Sequence, residues 1–215
     1  MKRKEKSDQV KNNILEIALR LFMAQGYRQT TIRQIAEEGK FTIGTIYHFF
    51  RDKEDIFISS SIPAPDQLMT IVEKITGSKT DHVLNYAAYR ALEFKAIEKY
   101  DYIAEFYLEA YSSWRMTKSI IQGNTQRNKL YFSRYNKNFT EQDYYRISMA
   151  LRGMRLMYIM ERVHTGVNKF KEYTPQIIET ALAAFNVPKK KRDTAIGKAM
   201  EIAAKYRGKV NGIIF

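Results

Sequence analysis

Helical periodicity runs through almost the whole 215-residue chain, and it limits the possible folds more than any other feature. The first segment has the spacing of a helix with one buried face, with apolar residues at Val10, Ile14, Ile17, Ala18 and Leu21. No run of four or more residues alternates cleanly between polar and apolar residues, as a half-buried strand would. The four prolines, at positions 63, 65, 175 and 188, break no predicted helix interior. We therefore predict an all-α fold.

The serines and prolines of residues 59–65 favour a hinge between two domains. We predict a three-helix, helix-turn-helix head over residues 1–60 and a larger helical bundle, the body, over residues 61–215. Thr174 and Asp193 are typical N-cap residues and mark the starts of the last two helices. The predicted helices of the body span residues 66–76, 81–99, 101–114, 115–137, 141–165, 174–186 and 193–207.

The head contains two short capped helices behind a longer first helix. Thr31 and Gln34 have the spacing of a capping box, in which each side chain satisfies a backbone N–H of the other residue. Gly39 supplies a tight turn, and Thr42 can cap the third helix. Two short helices joined by a glycine-containing turn are the plan of helix-turn-helix DNA-binding domains.

The third helix has the size and the side chains of a DNA recognition helix. Its seven residues rise about 10 Å, so one end fits a major groove about 12 Å wide. Gly44 leaves the backbone open to close approach by a phosphate, and Lys53 of a fourth helix can donate to another. Each residue alone is better explained as part of a solvated helix face, but their combination favours DNA binding. The outward-facing residues are Thr42, Ile43, Thr45, Tyr47 and His48.

The segments Thr30–Ala36, Phe41–Phe50 and Asp52–Ile56 resemble the signature of TetR/AcrR-type transcriptional regulators, over about residues 8–58. The resemblance implies a homodimeric, all-helical repressor whose paired heads occupy successive major grooves of a palindromic operator in double-stranded DNA. It also implies that an unidentified small-molecule effector binds the body and changes the spacing of the heads.

The resemblance also carries DNA-contacting roles onto single residues of the head. Ile43 stands where Lys is frequent, and Gly39-Lys40 replaces the more usual Ala-Gly of the turn. Base reading therefore falls on Arg33, on Thr45 and on Ile43 against thymine methyl groups. The positions implied to contact DNA are Thr31, Arg33, Thr42, Ile43, Gly44, Thr45, Tyr47, His48 and Lys53.

The body is rich in aromatic residues and Met, which at helical spacing are more often core than ligand contacts. Glu105 and Glu109 could hold a cationic ligand, whereas Arg152, Arg155 and Arg162 could face an anionic one; either set could instead face solvent. The charge of the effector therefore stays open. The candidate ligand-binding residues are Tyr89, Glu105, Tyr107, Tyr111, Trp114, Met154 and Tyr158.

A second apolar stripe on the 141–165 helix predicts a surface for a partner subunit. With the helix that follows, it would form a two-fold, four-helix dimer seam. The candidate interface residues are Ala150, Gly153, Met157, Met160, Ile178, Ala181, Leu182 and Phe185.

Several classes of function are disfavoured. The chain has no cysteine and only three isolated histidines, and it lacks a glycine-rich phosphate loop or a nucleophile motif, so we predict no enzyme, cofactor or metal site. No apolar run is long enough to span a bilayer and no signal peptide is recognisable, so a cytoplasmic location in a prokaryote is expected. The alternative function is a DNA-binding protein on the same scaffold without an effector, regulated by protein partners or organising the nucleoid.

The net charge of +13 does not locate the DNA-binding surface. Residues 1–60 contain 11 Lys and Arg against 8 Asp and Glu, whereas residues 61–215 contain 25 against 15. Most of the excess positive charge is therefore in the body. The prediction of DNA binding rests on the capped helix-turn-helix motif, and the charge of the body remains open.

Overall fold

The computed structural model describes residues 2–61, 63–167, 169–210 and 213–214. The chain divides into two compact units, residues 1–65 and 66–215, which contain the predicted head and nearly all of the predicted body. No helix of the described residues is long and apolar enough to cross a membrane.

The first unit is built from α1 (Lys2–Gln25), α2 (Ile32–Gly39), α3 (Ile43–Phe49) and α4 (Lys53–Ser61). The apolar stripe of α1 forms the centre of its core, with Ile14 and Ala18 fully buried and Phe22 2% exposed. The Phe22 ring lies 5.4 Å from that of Phe57 on α4. This packing holds α2 and α3 against a rigid support, as the predicted helix-turn-helix plan requires.

The second unit is a helical bundle around α6. Asp81 caps α6, which is buried around most of its circumference because it packs against α7, α8, α10 and α11. The helices are α5 (Pro63–Thr76), α6 (His82–Lys99), α7 (Asp101–Glu109), α8 (Trp114–Phe132), α9 (Glu141–Thr165), α10 (Phe170–Ala184) and α11 (Lys189–Lys205). The predicted all-α class is confirmed, and the one addition is an antiparallel pair of two-residue strands, β1 (Lys209–Val210) and β2 (Ile213–Ile214).

Three predicted boundaries are corrected by the structure. The helix expected from residue 174 begins at Phe170 and contains Pro175, because its first turn forms on the Lys169 carbonyl. The helix expected from residue 193 begins at Lys189, where the carbonyl of Pro188 accepts the first backbone bonds. Most of the expected hinge at 59–65 is helical, since α4 continues to Ser61 and α5 starts at Pro63; residue 62 lies outside the described part.

Candidate DNA-binding surface

The predicted capping box closes the N-terminus of α2. Thr31 Oγ1 accepts a hydrogen bond from Gln34 N at 3.1 Å, and Gln34 Oε1 accepts one from Thr31 N at 2.7 Å. Ile35 and Ala36 on the opposite face are buried. Cap and core together fix the rotation of α2 about its axis, and this rotation points Arg33 into solvent.

Arg33 is held only loosely in the absence of DNA. Its Nε lies 2.9 Å from Glu37 Oε1, with the two side chains 79% and 62% exposed. An ion pair so exposed contributes about 0.3–0.5 kcal/mol. A guanine edge or a phosphate can therefore replace Glu37 as the partner of Arg33 at little cost.

α3 is anchored by its cap and by one buried side chain. Thr42 Oγ1 accepts a hydrogen bond from Thr45 N at 3.0 Å and lies 2.8 Å from Thr45 Oγ1. Ile46 is fully buried, whereas Ile43 and Tyr47 are 46% and 54% exposed. Packing within the unit therefore does not explain the large apolar groups on the outer face of α3.

Gly44 is not required by the packing of the first unit. A Cβ atom at this position would meet only Thr42 Oγ1, at 3.8 Å, which is an ordinary contact. Its φ is also not positive, so no backbone constraint selects glycine. The absence of a side chain at Gly44 matters only if something outside the unit approaches the backbone there.

The turn between α2 and α3 differs from the one expected. Lys40, and not Gly39, adopts the left-handed conformation, with φ 54° and ψ 37°, and its N–H closes the end of α2 on the Ala36 and Glu37 carbonyls. Gly39 is needed for another reason, because a Cβ there would overlap the Phe41 ring. Gly39 is therefore required by the close approach of the Phe41 ring. Lys40 holds a left-handed conformation that glycine would adopt at a lower free-energy cost.

Lys53 has a structural role that sequence reasoning did not anticipate. Its Nζ donates to the carbonyl oxygens of Tyr27 and Thr30, each at 2.8 Å, and lies 4.2 Å from the centroid of the Tyr27 ring. The side chain therefore ties the start of α4 to the turn between α1 and α2. These contacts give Lys53 a role inside the first unit, where sequence reasoning had assigned it to a phosphate.

The N-terminal end of α1 lies beside the recognition helix. A groove of about 450 Å³ is lined by residues of both helices: Lys6, Ser7, Val10, Gly44, Thr45, His48 and Phe49. Sequence reasoning missed Lys6 and Ser7, although the basic run at residues 2–6 was a signal for them. The groove adds a cationic side chain to the polar face of α3.

Comparison with known proteins agrees with this geometry. Residues 14–59 match the family model of the bacterial regulatory proteins of the tetR family. The N-terminal unit is a TetR-family DNA-binding domain. The predicted resemblance to TetR/AcrR-type regulators is confirmed over these residues.

The curated relatives match this chain over short stretches. The HTH-type transcriptional regulator AcrR of Shigella flexneri is 41% identical over 56 residues, which are 26% of each chain. The HTH-type transcriptional regulator HbdR of Aromatoleum sp. (strain CIB) is 50% identical over 46 residues, 21% of this chain and 20% of the relative. The chain thus matches about a quarter of the length of these curated relatives. A crystal structure of a TetR/AcrR-family regulator from Thermobifida fusca YX-ER1 aligns over 93% of this chain and 98% of its own, at 17% identity and a TM-score of 0.35.

Outside the TetR-family domain, the candidate ligand residues separate into two groups. Tyr89 is buried, and Tyr107 and Tyr111 are half-buried with their hydroxyls on Glu93 Oε1 and the Arg152 carbonyl, at 2.9 and 3.0 Å. Of the other candidates, Glu105 is exposed and Trp114 is 63% exposed. Met154 and Tyr158 are half-buried, and the Tyr158 ring packs against that of Tyr173.

The candidate residues of the dimer surface also fall into two groups, one at the surface and one in the core. On α9, Ala150 and Gly153 are exposed, Met157 is 62% exposed and Met160 is half-buried, so this stripe is available to a partner. The other four candidates, three on α10 and one directly after it, belong instead to the core of the second unit. The Phe185 ring stacks 4.7 Å from that of Phe132. These core residues are Ile178, Ala181, Leu182 and Phe185, each at most 2% exposed.

The described residues contain no group of three or more His, Asp or Glu side chains placed to hold a metal ion.

Proposed function

We propose that this TetR-family regulator binds a palindromic operator in double-stranded DNA as a homodimer. Binding represses transcription, in the cytoplasm of a prokaryotic cell, until a small-molecule effector binds within residues 61–215. The observation that carries the DNA-binding part is the outer face of α3, where Ile43 and Tyr47 are held in solvent by a capped and anchored helix. A major groove supplies thymine methyl groups for Ile43 and phosphates for the Tyr47 hydroxyl.

Two elements bring further groups to the same surface. Arg33 is exposed on α2 with only a weak ion pair, and Lys6 and Ser7 of α1 line the groove beside Thr45 and His48. Arg33 can read a guanine bidentately, and Lys6 can contact the sugar–phosphate backbone. The arrangement therefore supports both sequence reading and positioning.

The exposed stripe of α9 supports the homodimer. Met157 and Met149 are 62% and 44% exposed, with the exposed Gly153 between them on the same face of the helix. Unbranched Met side chains adapt to irregular partners, and small residues let two helices approach closely. A two-fold pairing of α9 with its copy would bury this stripe against itself.

Selection of bound sequences from random duplex DNA by the full chain tests the proposal. We expect a palindrome whose half-sites are about one helical turn apart, as a two-fold dimer requires. Enrichment of a single non-repeated site would contradict the homodimer, and the absence of any enrichment would contradict sequence-specific binding.

A pair of tyrosine variants distinguishes a contribution of α3 to DNA binding from the general effect of removing an exposed tyrosine. Tyr47→Ala should weaken binding of the selected duplex, since the Tyr47 side chain is 54% exposed on the outer face of α3. Tyr102→Ala removes a 39%-exposed tyrosine from the second unit and should leave DNA binding unchanged. Equal binding by both variants would remove α3 from the DNA interface.

A further inference from the structure

Three arginines and one glutamate are buried together in the second unit. Arg90 and Glu93 lie on α6 and are each 6% exposed, while Arg152 and Arg155 lie on α9 and are 4% and 9% exposed. We call these four residues the arginine cluster. Glu93 is the one buried carboxylate among the residues that the structure describes.

Glu93 neutralises only one of the three arginines. Arg90 Nη1 donates to Glu93 Oε2 at 2.6 Å, and the Tyr107 hydroxyl donates to Glu93 Oε1 at 2.9 Å, so each oxygen already accepts a hydrogen bond. Burial alone would raise the pKa of Glu93, but Arg90 and Arg155 hold it below its usual value. The carboxylate is therefore charged and already engaged, and the arginine cluster keeps a net charge of +2.

Arg155 is the least satisfied member. Its Nη1 approaches Glu93 Oε2 only to 3.8 Å, which is beyond hydrogen-bonding distance. Its buried Nε has no hydrogen-bond partner within the described part of the chain. The guanidinium thus sits beside a carboxylate that other donors already use.

Arg152 has no carboxylate partner within 4 Å among the described residues. Its Nη2 donates to the Ala110 carbonyl at 2.7 Å, its guanidinium lies 3.8 Å from the centroid of the Tyr111 ring, and its Nε is also without a partner. Burial lowers the pKa of Arg152 to about 10, so the side chain still carries its charge at neutral pH. A neutral carbonyl and a ring face do not replace a counterion.

Unpaired buried charges are strongly unfavourable, and natural proteins place an opposite charge against them. Guanidinium groups are suited to a carboxylate or phosphate because their planar N–H donors match two oxygens at once. The surroundings are aromatic, with the Tyr86 and Tyr89 rings 5.1 and 5.0 Å from the Arg90 guanidinium. Tyr107 and Tyr111 are half-buried, and their hydroxyls donate to Glu93 Oε1 and to the Arg152 carbonyl.

We propose that Arg152 and Arg155 bind a small organic carboxylate whose apolar part lies against the neighbouring tyrosines. The inference rests on the proposed function in one respect, since it makes this anion the effector of the regulator. The sequence offered acidic residues for a cationic ligand and arginines for an anionic one, and this proposal selects the anion. Glu105, one of the acidic residues, is exposed, whereas of the three arginines only Arg162 is paired closely with a carboxylate, Asp101 Oδ1 at 2.6 Å.

The first test is the thermal unfolding of the full chain with benzoate and hexanoate, against benzyl alcohol and hexanol as uncharged counterparts and inorganic phosphate as another anion. We expect a carboxylate to raise Tm by roughly 3–6 °C at ten times its dissociation constant, and the alcohols to do nothing. Absence of any shift with the carboxylates, or an equal shift with the alcohols, would overturn the proposal. A shift with phosphate alone would overturn the carboxylate class.

Arginine-to-methionine variants show whether the arginine cluster is the site. Arg155→Met should abolish the carboxylate shift, whereas Arg146→Met, at an exposed position of the same helix, should retain it. Without ligand, Arg155→Met should melt no lower than the parent, because it removes a buried charge without a hydrogen bond. Arg90→Met should melt lower, because it leaves Glu93 without its main partner. If Arg155→Met lowered Tm as much as Arg90→Met, Arg155 would be a structural counterion and the proposal would fail.

DNA binding distinguishes this inference from the proposed function. Arg155→Met should still bind the selected duplex, and benzoate should release the duplex from the parent but not from the variant. Failure of the parent to bind any duplex would refute the proposed function while leaving the melting shifts interpretable. A melting shift without release of DNA would refute the role of the anion as effector.

Discussion

Gly44→Ala should have opposite effects on the stability of α3 and on the proposed binding of DNA. The new methyl group meets only Thr42 Oγ1 at 3.8 Å, so the first unit accommodates it without movement. Alanine is favoured over glycine within a helix by about 0.5–1 kcal/mol. The free energy of unfolding should rise by this amount, which corresponds to an increase in Tm of about 1–4 °C for a protein of this size.

The same methyl group should weaken DNA binding. It would stand between the backbone of α3 and a sugar–phosphate chain that approaches it, and one charge-assisted hydrogen bond is worth about 1.5–3 kcal/mol. Loss of one such bond weakens affinity roughly 10-fold to 150-fold. Fluorescence anisotropy with a labelled duplex measures this, at one fixed salt concentration because the affinity depends steeply on salt.

Gly197→Ala is the matched control. Gly197 lies inside α11 and is exposed, and a Cβ there would meet nothing within 4 Å. The variant should gain stability as Gly44→Ala does while binding DNA like the parent. If Gly44→Ala bound the duplex within about twofold of the parent, no DNA group would approach the backbone there, and the placement of α3 in the groove would be refuted.

Three further variants test other features of the structure. Lys40→Gly should raise the free energy of unfolding, measured by urea titration, by about 1 kcal/mol, because glycine adopts the left-handed conformation without strain. Asn186 also has a positive φ, but Asn186→Gly should not raise the free energy of unfolding, because it removes the 2.8 Å hydrogen bond to Asn136 Oδ1. Arg33→Ala should relax the preference at one base position, at a cost of about 1–3 kcal/mol on the cognate site; uniform weakening in repeated sequence selection would show that Arg33 reads no base. Met157→Lys should convert a dimer into a monomer in light scattering, while Leu130→Lys, at a 67%-exposed position of α8, should not; a parent that is monomeric at micromolar concentration would rule out the seam.

Local chemistry made the helix-turn-helix readable from the sequence. A capping box and an N-cap use side chains within three residues of the backbone they satisfy, so Thr31, Gln34 and Thr42 indicated where α2 and α3 begin. The same local rule failed at Thr174 and Pro175. There Tyr173 packs 4.7 Å from Tyr158, and the first turn of α10 extends back to include it. Packing against another helix outweighed the local signal.

The arginine cluster shows the limit of sequence reasoning more clearly. Arg90 and Glu93 look like an ordinary pair on one helix, and Arg155 looks like a surface residue of another. Their proximity depends on the packing of α7 against both α6 and α9, which the periodicity of a single helix does not reveal. Likewise, a hydrophobic pattern on α10 cannot tell a core face from a partner-facing one, and Phe185 proved to be core.

The Lys53 tie has a mechanical consequence. Two charge-assisted hydrogen bonds from one ammonium group join α4 to the carbonyls of Tyr27 and Thr30, immediately before the cap of α2. Tilting α4 away from α2 would require breaking both bonds together with the contact to the Tyr27 ring. A displacement applied to α4 therefore carries the first turn of α2, and Arg33 with it, as one rigid piece. A displacement of α4 would therefore move the surface that carries Arg33 without changing its internal geometry.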